Sequence, residues 1–273
     1  MSIDRKEAHL QELLREMGDV VVAFSGGIDS TYLLYAARET LGREHVLAVT
    51  ADSETFPDKE MEECRTLAAE LDVPFQEISV SELAIPGYKE NTADRCYLCR
   101  DNLFENLKPL LEQQAFSNIV FGLIADDMGE HRPGVIAAKE HGVRGPLQEA
   151  DMYKSEIRSL AREAGLPNWD KPSYACLASR ISYEETITIE KLKMVERAED
   201  FLKDHGITQV RVRMQEETAR IEVLPAEMPH VLEIHEAVHA RLKELGFTYI
   251  TLDLKGYRSG SMNASLEKQT VKE

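Results

Sequence analysis

Residues 20–24, Val-Val-Val-Ala-Phe, form an unbroken apolar run, and the glycine-rich heptapeptide Ser25-Gly26-Gly27-Ile28-Asp29-Ser30-Thr31 follows it at once. With Asp19 before it, this run reads as a buried strand over residues 19–24, followed by the loop and then a helix through about Leu41. A loop between a buried strand and a helix N-terminus offers free backbone N–H groups and the positive end of the helix dipole, which together favour an anion. Gly26 and Gly27 let the backbone approach phosphate oxygens that a Cβ would obstruct. Ser25, Ser30 and Thr31 can add hydroxyl donors, and Asp29 can help hold Mg²⁺ between phosphates. No Gly-Lys-Ser/Thr ending follows, which excludes a Walker loop. The plainer alternative is a glycine turn in which Asp29 and Ser30 only cap the helix.

Strand and helix continue to alternate. Strands are expected at 45–50, 74–80 and 118–123, and helices at 57–71, 101–113 and 152–164, the last ended by Gly165 with Pro167 beyond it. Repeated units of this length argue for a parallel sheet covered on both faces. Residues 168–185 break the rhythm and read as a loop. A smaller α/β unit follows, with helices at 189–205 and 231–245 and strands at 209–214, 219–224 and 248–254. The expected fold is therefore α/β: a parallel-sheet domain over residues 1–180 and a smaller α/β domain over 181–273.

Net charge is −17, from 32 Lys plus Arg against 49 Asp plus Glu. Such a surface repels a phosphate backbone, so nucleic acid is disfavoured as a partner. The first residues lack the apolar core of a signal peptide and no apolar run is long enough to span a bilayer, so no membrane association is expected and a cytoplasmic location is. Four cysteines, Cys64, Cys96, Cys99 and Cys176, are too few and too unevenly spaced for a secreted disulfide scaffold.

The Ser-Gly-Gly-x-Asp-Ser pattern resembles the N-type ATP pyrophosphatases, the PP-loop (adenine nucleotide alpha hydrolase-like) superfamily. That resemblance implies cleavage of ATP between its α- and β-phosphates, with ATP and Mg²⁺ as co-substrate, and an ATP site at Ser25, Gly26, Gly27, Asp29, Ser30 and Thr31. Gly122-Leu123-Ile124-Ala125-Asp126-Asp127, after a later strand, resembles a second nucleotide-side motif of the thiolating branch, which adds Gly122 and Asp126; a solvated turn is the alternative. Residues 91–100 (Asn-Thr-Ala-Asp-Arg-Cys-Tyr-Leu-Cys-Arg), Arg132-Pro133-Gly134, Gly145-Pro146-Leu147 and 171–180 (Lys-Pro-Ser-Tyr-Ala-Cys-Leu-Ala-Ser-Arg) resemble the LarE family. Those sulfur transferases help make the nickel-pincer nucleotide cofactor of lactate racemase. The likeness spans nearly the whole chain. Leu123-Ile124 stands where the family commonly has Thr-Asn, and Ile181-Ser182-Tyr183-Glu184 stands where Ile-Pro-Tyr-Gly is usual.

The LarE resemblance implies adenylylation of a carboxylate of pyridinium-3,5-biscarboxylic acid mononucleotide, followed by replacement of AMP with sulfur. Single-cysteine members give up the sulfur of the residue that matches Cys176. The added Cys96 and Cys99 place this chain with the three-cysteine form, for which the resemblance implies a [4Fe-4S] cluster on Cys96, Cys99 and Cys176, with an extra sulfide or another sulfur donor reloading it. Zinc is the alternative, as are two ordinary thiols on the first turn of a helix. Cys64 shares a helical stripe with Met61, Ala68 and Leu71 and reads as a small buried hydrophobe.

Arg211 and Arg213 alternate along one strand and leave the same face, as Arg220 and Glu222 do on the next; Arg258 follows the last strand. Periodicity alone favours a solvated face of alternating charge. The resemblance supports another reading, in which Arg211, Arg213 and Arg258 bind the substrate phosphate and Glu199 and Glu222 hold a divalent cation. Asp29 and Cys176 are the expected catalytic groups, and Arg180 joins them, expected on the activated acyl group or phosphate. Trp169 and Tyr174 suit packing as well as ligand contact. A homo-oligomer is expected. Three rival functions remain at this stage. They are a tRNA thiolase of the same superfamily, an amide-forming synthetase, which leaves the cysteines unexplained, and a nucleotide-binding redox sensor without turnover.

Overall fold

The computed structural model describes residues 1–129, 133–172, 175–258 and 260–263. Arg132, Ser173 and Tyr174, named in the motifs above, lie outside the described residues. The chain separates into two compact units, Met1–Glu82 with Cys96–Tyr174, and Leu83–Arg95 with Ala175–Glu273. The second unit therefore takes in Leu83–Arg95, which the alternation of elements does not reveal.

In the first unit the elements run α1 (Ile3–Met17), β1 (Val20–Ala23), α2 (Ile28–Leu41), β2 (Val46–Asp52), α3 (Asp58–Glu70) and β3 (Phe75–Ser79). They continue with α4 (Arg95–Gln114, whose first residue is the last of the second unit's Leu83–Arg95), β4 (Ile119–Phe121), α5 (Pro133–Glu140), α6 (Pro146–Glu149) and α7 (Lys154–Glu163). The sheet is parallel throughout, in the order β3-β2-β1-β4. Its central strands feed two cores by simple alternation. Val20, Val22, Val46 and Ala48 pack with Leu10, Leu14, Leu33 and Ile157 on one face. Val21, Ala23, Leu47 and Val49 pack with Phe104, Leu107 and Ala137 on the other. Both faces are covered, so β1 is apolar at every position and β2 is apolar from Val46 to Val49.

Helix α1 adds to the expected elements; Leu10, Leu14 and Met17 form its buried stripe. Helix α4 starts at Arg95, several residues before the expected 101, which puts Cys96 and Cys99 on its first turn.

The second unit holds α8 (Ile189–Asp204), β5 (Val210–Gln215), β6 (Thr218–Val223), α9 (Met228–Glu233), α10 (His235–Glu244) and β7 (Tyr249–Leu252). β5 and β6 are antiparallel, and β7 joins β6 in parallel. Thr188 caps α8 by accepting the Lys191 N–H at 3.2 Å. The single helix expected at 231–245 is two, α9 beginning at Met228 just before Pro229 and ending at Glu233, with Ile234 as its C-cap outside helical geometry. Asn91, fully buried at φ 55°, ties Leu83–Arg95 to the rest of the unit. Its Nδ2 donates to the carbonyls of Ile181 and Ser182 at 3.1 and 2.7 Å.

Candidate functional site

The phosphate loop joins β1 to α2, and Gly122 follows β4, the neighbour of β1 on its other side. From β1 the chain order runs one way to β2 and β3, while β4 lies opposite, so the loop sits at the carboxyl end of a topological switch point. Parallel sheets bind ligands there. Gly26 has φ +66°, and a Cβ on it would lie 2.9 Å from Cys64 Sγ. A Cβ on Gly122 would lie 2.8 Å from the Ser30 backbone nitrogen, so the β4 loop meets the first turn of α2 at a distance only glycine allows.

Within the loop, Ser30 Oγ and Thr31 Oγ1 each donate to the Gly27 carbonyl at 3.0 Å. Ser30 Oγ also lies 3.2 Å from Ser25 Oγ and accepts the Ser25 N–H at 3.3 Å. Asp29, in the first turn of α2, receives Lys154 Nζ on both carboxylate oxygens at 2.8 and 2.7 Å. Burial pushes the Asp29 carboxyl up, and the Lys154 ammonium works against that. Sequence reasoning misses Lys154 because it is 125 residues away, at the start of α7. Asp126, expected on the nucleotide, accepts the Lys154 backbone N–H at 2.8 Å and so caps α7. Its neighbour Asp127 accepts the Ile124 N–H at 3.2 Å. Cys64 is fully buried and burial pushes its thiol up to about 12, which keeps it an inert packing group.

Cys96 is exposed and Cys99 half-buried, one turn apart on α4. Cys99 Sγ donates to Glu82 Oε1 at 2.9 Å, and the other Glu82 oxygen accepts from buried Thr55. Cys176, also half-buried, precedes a short 3-10 turn, Leu177–Arg180. A thiol is by its chemistry a ligand for soft metals. Among the described residues, however, no group of three or more His, Cys, Asp or Glu is arranged to hold a metal ion.

In the second unit most of the candidate residues are buried. Arg180 is completely buried, and its Nε and Nη2 pair with both oxygens of buried Glu199 at 2.8 and 2.9 Å. Its Nη1 donates to the carbonyls of Ala175 and Cys176. The guanidinium, expected on an acyl group or phosphate, here holds the backbone around Cys176. Glu199 also accepts the Val212 N–H at 2.9 Å. Burial would raise its carboxyl, but Arg180 overrides this and holds it below the ordinary carboxylate range.

Glu222, fully buried, receives Arg213 Nε at 3.1 Å and Ser261 Oγ at 2.9 Å, with Arg220 at 3.2 Å. Both carboxylates expected on a divalent cation are therefore matched by arginines. Arg211 and Arg213 are buried rather than solvated, Arg211 lying 5.3 Å from the Tyr257 ring. Burial, and the like charge of Arg180, pull both guanidinium pKa values down from the usual arginine value. Arg258 is exposed, 3.8 Å from Asp253. Trp169 lies partly exposed under the Arg162 guanidinium, a packing contact. Among the described residues no helix is long and apolar enough to cross a membrane.

A strand–glycine loop–helix cradle at the switch point of a parallel sheet defines an α/β nucleotide-binding domain of the PP-loop class. Comparison with known proteins agrees. The NAD synthase family matches residues 2–125. Pyridinium-3,5-bisthiocarboxylic acid mononucleotide synthase of Lactiplantibacillus plantarum is 40% identical, over 96% of this chain and 95% of that protein. An uncharacterised protein of Synechocystis sp. is 38% identical over 97% of this chain and 100% of its own length. The ammonia-dependent NAD⁺ synthetase of Pyrococcus horikoshii is 25% identical, over only 61% of this chain and 65% of its own length. The chain belongs to the LarE family of ATP-dependent sulfur transferases, within the PP-loop superfamily.

Proposed function

We propose that this enzyme adenylylates a carboxylate of pyridinium-3,5-biscarboxylic acid mononucleotide and then exchanges AMP for sulfur. A carboxylate is a poor electrophile because it is anionic and its oxygen leaves badly. Attack of a carboxylate oxygen on the α-phosphorus of ATP forms an acyl-adenylate and expels pyrophosphate. Hydrosulfide then attacks the carbonyl carbon, and AMP departs as the thiocarboxylate forms. Where a cysteine thiolate attacks instead, AMP departs as a thioester forms, and loss of the cysteine Cα proton with cleavage of its Cβ–Sγ bond releases the thiocarboxylate and leaves dehydroalanine. In this reading Asp29 and Lys154 serve the phosphates and their Mg²⁺, and the loop's backbone N–H groups bind the polyphosphate.

The observation that carries the substrate assignment is an excess of buried positive charge in the second unit. Arg95, Arg180, Arg211 and Arg213 are buried there against only Glu199 and Glu222 among the buried carboxylates of that unit's described residues. Buried charge of one sign in excess is costly, and a phosphate monoester would offset it. Arg211 and Arg213 are the groups assigned to it, with Arg258 at the exposed rim. The chain's net charge of −17 speaks against tRNA as the acceptor.

For the sulfur, the three-cysteine pattern supports a [4Fe-4S] cluster on Cys96, Cys99 and Cys176, which would supply a sulfide site on an iron that no cysteine ligates. Arg180 holds the carbonyls of Ala175 and Cys176 and so fixes the backbone around that one thiol, which favours a second reading in which Cys176 gives up its own sulfur. Anaerobically prepared protein separates the two. The cluster predicts brown protein with about four irons per chain, bleached by Ser at Cys96, Cys99 or Cys176 but not at Cys64. Colourless protein that transfers one sulfur and converts Cys176 to dehydroalanine, read from the mass of the polypeptide, would overturn it.

A further inference from the structure

Asn168 has no part in the motifs above, yet it is bonded to the phosphate loop. It lies in the turn after α7, in the stretch that runs on toward Cys176, and is only 5% exposed. Its Nδ2 donates to the Gly26 carbonyl at 3.0 Å and to Thr31 Oγ1 at 2.9 Å. Thr31 Oγ1 passes its own proton to the Gly27 carbonyl at 3.0 Å, so one carboxamide governs both glycine carbonyls.

The peptide between Gly26 and Gly27 is trans, since no cis bond occurs among the described residues. A trans peptide carries its C=O and N–H on opposite edges. With the Gly26 carbonyl held against Asn168, the Gly27 N–H is turned away from Asn168. Gly26 is at φ +66°, where glycine moves freely, so this peptide needs an outside hold to keep one orientation. Asn168 Oδ1 is buried with no partner among the described residues. Such an acceptor lowers stability, so packing alone would favour an apolar side chain here, and the two donated bonds are what the carboxamide contributes. Lys171, three residues on, pins the same stretch to α3 through Glu60 at 2.7 Å and Glu63 at 2.6 Å. Burial pulls the Lys171 ammonium down, but the two carboxylates outweigh it and its pKa is raised.

We propose that Asn168 is a positioning residue of the phosphate loop, fixing the Gly26–Gly27 peptide so that the Gly27 N–H is presented to the polyphosphate of ATP. The proposal rests on the ATP reading of this loop. Its test is calorimetric binding of α,β-methylene-ATP, pyrophosphate and adenosine to the full chain. Asn168→Ala should weaken the first two at least about tenfold, the loss expected for a hydrogen bond to a charged group, and leave adenosine unchanged. Asn168→Asp fills the same space but sets a carboxylate oxygen against the Gly26 carbonyl, and should lose as much or more. Wild-type binding by Asn168→Asp, or equal weakening of adenosine, would reduce Asn168 to a packing residue. Failure of the unaltered protein to bind the ATP analogue would overturn the nucleotide reading itself. A crystal structure with the analogue decides the matter without a variant. It should show Gly27 N on a phosphate oxygen with Asn168 still on the Gly26 carbonyl, and an Asn168 released from that carbonyl would contradict the proposal.

Discussion

Asp29→Ala is expected to lower pyrophosphate release from ATP by a factor of about 10² or more, the scale seen when one electrostatic group is removed from a charged transition state. Lys154 holds both Asp29 oxygens. Each partner thereby keeps the other's charge neutralised, at the spot proposed above for a metal and a phosphate. When Mg²⁺ and ATP enter, the carboxylate can turn to the metal and the ammonium to the phosphate, so neither charge is left alone. In that reading the substitution removes a metal contact, and it also takes from Lys154 the carboxylate that holds its ammonium. Its effect on folding should be small, because the pair is partly exposed, 25% and 28%, and such pairs contribute about 1 kcal/mol or less. Steady-state pyrophosphate release and a thermal melt, measured on the same preparation, check both halves. Turnover at the wild-type rate would remove Asp29 from the mechanism.

Arg180→Ala should do the opposite and act on the fold first. Glu199 would be left buried and charged, with only the Val212 N–H still donating to it among the contacts described above. Breaking a buried pair from one side costs about 3–5 kcal/mol, against a total stability of roughly 5–15 kcal/mol for a protein domain. Replacing both partners, Arg180→Met with Glu199→Leu, should cost much less because no unpaired charge remains. Urea unfolding of the single and double variants checks this. A single variant as stable as the unaltered protein, but inactive, would return Arg180 to a direct role on the substrate.

Part of this molecule was legible in its sequence for clear physical reasons. Strands β1 and β2 are apolar at consecutive positions because both sheet faces are covered, and the phosphate loop announces itself by following the first of them. The two glycines are needed where they stand, Gly26 for its backbone angle and Gly122 for its approach to Ser30. What could not be read depends on contacts distant in sequence. Nothing near Asp29 signals Lys154, and nothing near Gly26 signals Asn168. Arg180, beside a reactive cysteine, suggests a substrate contact until its fork is seen closed on Glu199. Arg211 and Arg213 alternate as a solvated strand face would, and only burial separates the two cases. The stretch Leu83–Arg95 carries no strand or helix pattern of its own; it is held to the second unit by the Asn91 side chain and by isolated backbone bonds, from the Glu184 N–H to the Asn91 carbonyl and from the Ile187 N–H to the Lys89 carbonyl.

The central claim is that sulfur replaces a carboxylate oxygen on a pyridinium mononucleotide at the expense of ATP. Mass spectrometry of the acceptor after anaerobic incubation with enzyme, Mg²⁺, ATP and sulfide tests it most directly. The expected product is a thiocarboxylate, its mass raised by oxygen-to-sulfur exchange, with one AMP and one pyrophosphate formed for each sulfur inserted. ATP cleaved to AMP and pyrophosphate while the acceptor's mass stays unchanged, or tRNA thiolated in its place, would contradict it.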